Sequence, residues 1–128
     1  MSIALFFITH EGIASNLLSI GQSIIQKPDN NLSFIDVPMD ADIDTIINSI
    51  ENKLNKLNLN RGILFITDIY GGTPSNIAQL LATNYGANLI SGVNLPMIIR
   101  LLNYRDVSEQ LLIEKALDGA RKGTQINN

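Results

Sequence analysis

Hydrophobic positions along this chain alternate between two rhythms. Residues 3–9 form a short continuous apolar run, the pattern of a strand covered on both faces. From Ile13 the period lengthens: Ile13, Leu17, Leu18, Ile24 and Ile25 are expected on one face of a helix that stops before Lys27-Pro28-Asp29-Asn30. Residues 32–37 read as a second strand closed by Pro38. Ile43, Ile46, Ile47, Ile50, Leu54 and Leu57 then recur at intervals of three and four with polar residues between them, which predicts an amphipathic helix with Asp40 or Asp42 as its N-cap.

Residues 62–67 give a third buried strand, followed by Asp68-Ile-Tyr-Gly-Gly-Thr-Pro74. Thr73 as N-cap with Pro74 in the first helical position predicts a helix through Ile77, Ala78, Leu80 and Leu81 to about Asn84. A shorter fourth strand is expected over 87–91 and a short helix over 97–104. A last helix opens with Asp106 and Glu109 in capping-box spacing and turns Leu112, Ile113, Ala116, Leu117 and Ala120 inward. The order β-α-β-α-β-α-β-α-α implies a mainly parallel sheet with helices on both faces. With right-handed crossovers, the expected architecture is a three-layer αβα, doubly wound sheet of strand order 2-1-3-4, flavodoxin-like.

Composition narrows the picture. A chain of 128 residues with 45% hydrophobic and 16% charged side chains suits one folded domain. A net charge of −3 argues against a nucleic-acid partner, which needs a basic footprint. With no cysteine, disulfides, thiolate metal sites and cysteine nucleophiles are excluded. The apolar N-terminus lacks a basic leader and stops at His10, and no apolar run approaches the roughly 18 residues of a membrane span, so a cytoplasmic protein is expected.

In such a sheet, ligands bind beyond the carboxyl ends of the strands where strand order reverses, here between the first and third strands. The first ends at Thr9-His10 and the third at Thr67-Asp68, so the one histidine of the chain faces a carboxylate across the expected crevice. A carboxylate on one imidazole nitrogen fixes the tautomer and leaves the other nitrogen as nucleophile. The helix opening at Thr73-Pro74 brings unpaired N–H groups, with Gly71 and Gly72 allowing close approach of an anion and Thr73 offering a hydroxyl. Nucleophile, orienting group and anion cradle describe phosphoryl transfer through histidine.

Each feature alone has an ordinary structural explanation. A lone loop histidine is usually a solvated surface residue. Asp68 fits an Asx-turn, Gly-Gly-Thr-Pro a turn and helix start, and Asn94-Leu-Pro-Met97 a strand-to-helix junction with Met97 in the core. Tyr70 and Tyr104 fit packing residues with wet hydroxyls, and the charges of the second helix a solvated face. Their coincidence at one crevice favours the functional reading.

Three segments in order, Ile-Thr-His10, Thr-Asp68-Ile-Tyr-Gly-Gly-Thr-Pro-Ser-Asn76 and Ser-Gly-Val-Asn-Leu-Pro-Met97, closely resemble the IIA domain of the mannose family of the bacterial phosphoenolpyruvate-dependent sugar phosphotransferase system. The resemblance covers nearly the whole chain. It implies a phosphotransferase component in which His10 accepts a phosphoryl group from phospho-HPr and passes it to a IIB component, the membrane permease being involved only indirectly. It further implies that Asp68 orients the ring, that Thr73 and nearby amides contact the phosphoryl group, and that Asn94, Leu95, Pro96 and Met97 line the site. Family members are similar in forming homodimers, and the resemblance implies no metal and no cofactor.

Two departures stand out. Glu11 lies between the histidine and Gly12, where most relatives have glycine next, and a smaller branch sharing Thr-His-Glu is linked to incomplete, regulatory chains. The sequence also stops at Gly123-Thr-Gln-Ile-Asn-Asn128, which suggests a single free-standing domain over 1–128 in which an extra antiparallel edge strand is short or missing. Competing readings are a regulatory phospho-acceptor, an FMN carrier, a response-regulator receiver and a donor to dihydroxyacetone kinase. An FMN carrier needs a hydroxyl-rich loop after the first strand. A receiver needs a carboxylate pair there and a lysine after a fifth strand. The Gly-Gly-Thr-Pro-Ser-Asn segment fits the sugar-type branch better than the kinase donor.

Overall fold

The structure, a computed structural model, describes residues 2–28 and 30–128. Its elements run β1 (Ala4–His10), α1 (Ile13–Ile25), β2 (Leu32–Val37), α2 (Ile43–Leu54), β3 (Ile63–Thr67), α3 (Thr73–Tyr85), β4 (Asn88–Ser91), α4 (Leu95–Asn103) and α5 (Glu109–Lys122). The four strands form one sheet in the order β2-β1-β3-β4, every pair parallel. This is the α/β, doubly wound architecture read from the hydrophobic pattern. Residues 124–128 add no strand to it.

Side chains alternate across the pleat, so the apolar runs of β1 and β3 divide between two cores. Leu5 and Phe7 of β1 join Leu64 and Ile66 of β3 under α1, α4 and α5. Ala4, Phe6 and Ile8 join Ile63 and Phe65 under α2 and α3, where Phe6 and Phe65 lie with ring centroids 6.3 Å apart. At the carboxyl ends of these strands the buried residues become polar: Thr9 and Thr67 are fully buried. The apolar floor thus ends in a hydrogen-bonding rim, and the site stands on that rim.

Several helix details differ from expectation. α1 rests on Ala14, Leu18 and Gly21, while Ile13 and Ile24 are 38% and 57% exposed. The reason is Gly21: a Cβ there would stand 2.5 Å from Ile98 Cγ2, so α4 presses directly against the α1 backbone and sets which face is buried. In α2, Asp42 is the N-cap, Ile46, Ile50 and Leu54 are buried, Ile43 is half exposed, and Leu57 packs from the turn beyond. α3 begins one residue early, with Gly72 as N-cap and Thr73 already helical. α4 begins at Leu95, because the Asn94 side chain accepts from the Met97 N–H at 3.0 Å. Ser108, not Asp106, caps α5 by accepting from the Leu111 N–H, and Glu109 accepts instead from Asn88.

Candidate active site

The carboxyl ends of β1 and β3 bring His10 and Asp68 together. The ring Nδ1 lies 2.8 Å from Asp68 Oδ2, and the His10 backbone N–H donates to the same oxygen at 3.1 Å. A carboxylate only accepts, so Nδ1 carries the proton and Nε2 is the unprotonated nitrogen of the neutral ring. The imidazole is 36% exposed and the Asp68 side chain 13%, so the carboxylate is sheltered while the ring is reachable from solvent. Burial works to raise the Asp68 carboxyl. Hydrogen bonds from the His10 ring, the His10 backbone and its own backbone, with the attraction of the ring, outweigh that and hold it below its ordinary value.

Two helices begin at this crevice, and they are finished differently. At α1, Asp36 of β2 accepts from the Gly12 N–H at 2.9 Å, from the Ser15 N–H at 3.3 Å and from the Ser15 hydroxyl. Buried Thr9 accepts from the Ala14 N–H at 2.9 Å and donates to the His10 carbonyl. The Gly12, Ala14 and Ser15 amides at the start of α1 are therefore occupied. α3 has no side-chain cap, and its N-cap Gly72 has φ 90°, a conformation that suits glycine. A Cβ at Gly72 would lie 3.7 Å from His10 Cε1 and 3.9 Å from Nε2, so the open helix start adjoins the free ring nitrogen. An anion drawn to this crevice is met by α3 and not by α1.

Thr73 is exposed, and its hydroxyl has no partner among the described residues. Gly71 is partly buried with open space about its Cα. Glu11 is exposed, its backbone N–H donating to the Val37 carbonyl. The Val93 N–H donates to the Thr67 carbonyl, which ties the segment before α4 to the end of β3. Within 94–97, Asn94 uses both ends of its amide in the fold, donating to Ala120 O, and Met97 is buried in the core. Leu95 packs on that same core, and Pro96 abuts Gly123.

Tyr70, expected to pack, is 87% exposed, and with Ile69 at 58% and Met39 at 91% it belongs to the loops that leave the carboxyl ends of β3 and β2. Tyr104 does pack on the core, with Lys115 Nζ 4.2 Å from its ring centroid. Asp36 is the contributor that sequence reasoning missed. The available signal was a carboxylate inside a mainly apolar strand, Leu-Ser-Phe-Ile-Asp-Val, one residue from its carboxyl end.

A parallel α/β sheet with an imidazole–carboxylate pair at its switch point defines the class: a doubly wound protein with that pair on the carboxyl rim of the strands, where ligands bind in such sheets. Comparison with known sequences takes the assignment further. The sequence pattern of the EIIA-man family, described as PTS system fructose IIA component, matches residues 4–117, and the chain belongs to this family. It is 30% identical over 128 residues to the PTS system mannose-specific EIIAB component of Escherichia coli K12, covering 98% of this chain but 39% of that protein. It is 29% identical over 109 residues to the PTS system fructose-specific EIIA component of Bacillus subtilis, covering 84% of this chain and 73% of that one. In fold it resembles the mannose/sorbose specific IIA subunit from Enterococcus faecalis, with a TM-score of 0.85, 18% identity and coverage of 100% and 96% of the two chains. The family consists of phosphotransfer proteins of the sugar phosphotransferase system. No helix among the described residues is long and apolar enough to cross a membrane.

Proposed function

We propose that this protein carries a phosphoryl group on Nε2 of His10, taking it from phospho-HPr and giving it to a IIB component. The observation that carries the reading is the division of the ring: Nδ1 is held by Asp68 at 2.8 Å, while Nε2 adjoins the uncapped start of α3. The Nε2 lone pair forms the new bond to phosphorus as the donor's bond to phosphorus breaks, and the donor leaves with that electron pair. The Nδ1 proton stays on the ring. The positive charge that develops on the imidazole is offset by the Asp68 carboxylate, and the phosphoryl oxygens face the α3 amides and the Thr73 hydroxyl. Gly71 and Gly72 keep side-chain bulk away from that approach, and Asn94 to Met97 support the rim from the β4 side.

The exposed Met39, Ile69 and Tyr70 support a protein donor and acceptor, since large apolar side chains around a reactive nitrogen suit a transient protein interface. A homodimer in the cytoplasm completes the reading. The apolar line of Ile13, Ile20 and Ile24 along α1, 38%, 48% and 57% exposed, supports self-association. A second reading, a phospho-acceptor that signals and does not feed sugar uptake, is favoured by Glu11, an exposed carboxylate directly beside the acceptor.

The test is incubation with labelled phosphoenolpyruvate, enzyme I and HPr. An acid-labile, alkali-stable phosphate on the wild-type protein and none on His10→Ala is the expected result; full labelling of the variant overturns the proposal. Transfer onward to a IIB component separates the carrier from the signalling acceptor.

A further inference from the structure

The amino ends of the strands, opposite the rim that bears His10, border a second feature. An open groove of about 930 Å³ lies between the loop before β2, the end of α2 with its following turn, and the loop joining α4 to α5. Ligand sites commonly occupy about 300–1,000 Å³. Four of the nine basic residues of the chain line it, Lys27, Lys53, Lys56 and Arg105, against Asp106 as the only described acid, in a protein of net charge −3. Asp29 stands between two lining residues in sequence and is outside the described residues.

Among the described residues, the hydrogen bonds of Lys27, Lys53 and Arg105 go to neutral groups alone. Lys27 donates to the carbonyl and side-chain oxygens of Asn103, at 3.3 and 2.7 Å, and Lys53 donates to the Phe34 carbonyl at 3.0 Å. Arg105 Nη2 is spread over the Ser2 hydroxyl and the carbonyls of Ile3, Asn30 and Asn31, at 2.8–3.3 Å, while its Nη1 is buried without a partner. No described carboxylate lies within ion-pairing distance of any of the four. Burial lowers the Arg105 pKa against the attraction of Asp106, yet a guanidinium stays charged in a protein. Its charge is therefore fixed in the groove with Asp106 as the one described acid in the lining, and Lys27 and Lys56 are exposed.

The remaining lining is suited to an organic body. Pro28, Leu32 and Leu57 offer apolar wall, and the side-chain amides of Asn30 and Asn58 have N–H donors unused among the described residues. We infer that this groove binds a small phosphorylated organic anion carrying at least two negative charges, at a site separate from His10. Across the seven residues of β1, the two sites stand roughly 20 Å apart. The inference does not depend on the proposed phosphoryl chemistry.

The experiment is an amide-resonance titration of the whole chain with glucose 6-phosphate, and separately with inorganic pyrophosphate, against sodium chloride at matched ionic strength. Saturable shifts are expected at Asn31, Ser33, Lys56 and Asn58 with both phosphates. Lys27→Gln with Lys56→Gln, both exposed and outside the core, is expected to weaken that binding at least fivefold while the spectrum stays folded. Shifts that sodium chloride reproduces, or that persist unchanged in the double variant, overturn the inference. Binding of an acidic peptide such as hexaglutamate with no response to either phosphate also overturns it, in favour of a protein ligand. Shifts confined to Gly72 and Thr73 report on the His10 site and count against the groove.

Discussion

In the transfer proposed above, Asp68 meets two demands at once, holding the ring and answering the charge that the ring acquires. Replacing it with Asn keeps a hydrogen-bonding side chain of the same shape and removes the charge. Asp68→Asn is therefore expected to reduce the rate of phosphorylation by phospho-HPr by about 10²-fold with the fold retained, as for loss of a positioned acid–base partner; an unchanged rate removes Asp68 from the mechanism. The same carboxyl sits below its ordinary value in the folded state, so it contributes stability above about pH 3.9 that is lost as pH falls through its folded pKa. Urea midpoints of the wild-type and Asp68→Asn proteins are expected to differ at pH 6 and to converge toward pH 3. The pairing of His10 with Asp68 was legible from the sequence because both residues end strands that flank the reversal of strand order. Asp36 was not, because its role depends on β1–β2 register, which sets it opposite Thr9.

The helices carry different obligations at their starts and along their faces. α1 borrows its cap from a neighbouring strand, so Asp36→Ala exposes the Gly12 and Ser15 amides and frees the turn that follows His10. A loss of about 1–2 kcal/mol is expected from equilibrium urea unfolding, in the range of a lost N-cap. Phosphorylation is expected to slow as well, because the residues after His10 are no longer tethered to β2. Along α1, Gly21→Ala would raise helix propensity by about 1 kcal/mol if the site were exposed. Here the new Cβ meets Ile98 Cγ2 at 2.5 Å and Leu102 Cδ1 at 3.1 Å. Net destabilisation of about 1–3 kcal/mol is expected instead, seen as a lower urea midpoint with an unchanged slope. Of the expected α1 face, Leu17, Leu18 and Ile25 do pack on the core, and that contact bears on why Ile13 and Ile24 stay outside it. The apolar pattern put all five on one face, and the close approach at Gly21, a residue with no side chain, is a feature that hydrophobicity does not register.

Across the whole molecule, the doubly wound sheet sorts chemistry by strand end. Strand order and layering followed from alternating periods and right-handed crossovers, and all four strands lie within two residues of their expected bounds. The groove at the amino ends was not legible, because Lys53 in the last turn of α2 and Lys27, Lys56 and Arg105 in three separate connections are brought together only by the fold. The start of α3 has a further consequence for the energetics of the entire domain. Its amides lack the side-chain partner that most helices acquire on folding, and a phosphoryl group on Nε2 would supply one from outside. Loading and folding are then thermodynamically linked, with the charged form the more stable by about 1 kcal/mol, the value of a missing cap. For a domain of this length that corresponds to a rise of roughly 3–6 °C in melting temperature, measurable by calorimetry before and after incubation with the phosphoenolpyruvate cascade. His10→Ala should show no such rise. In the phosphoryl transfer proposed above, each loading of His10 would give α3 a cap that the side chains do not supply, and each discharge would remove it.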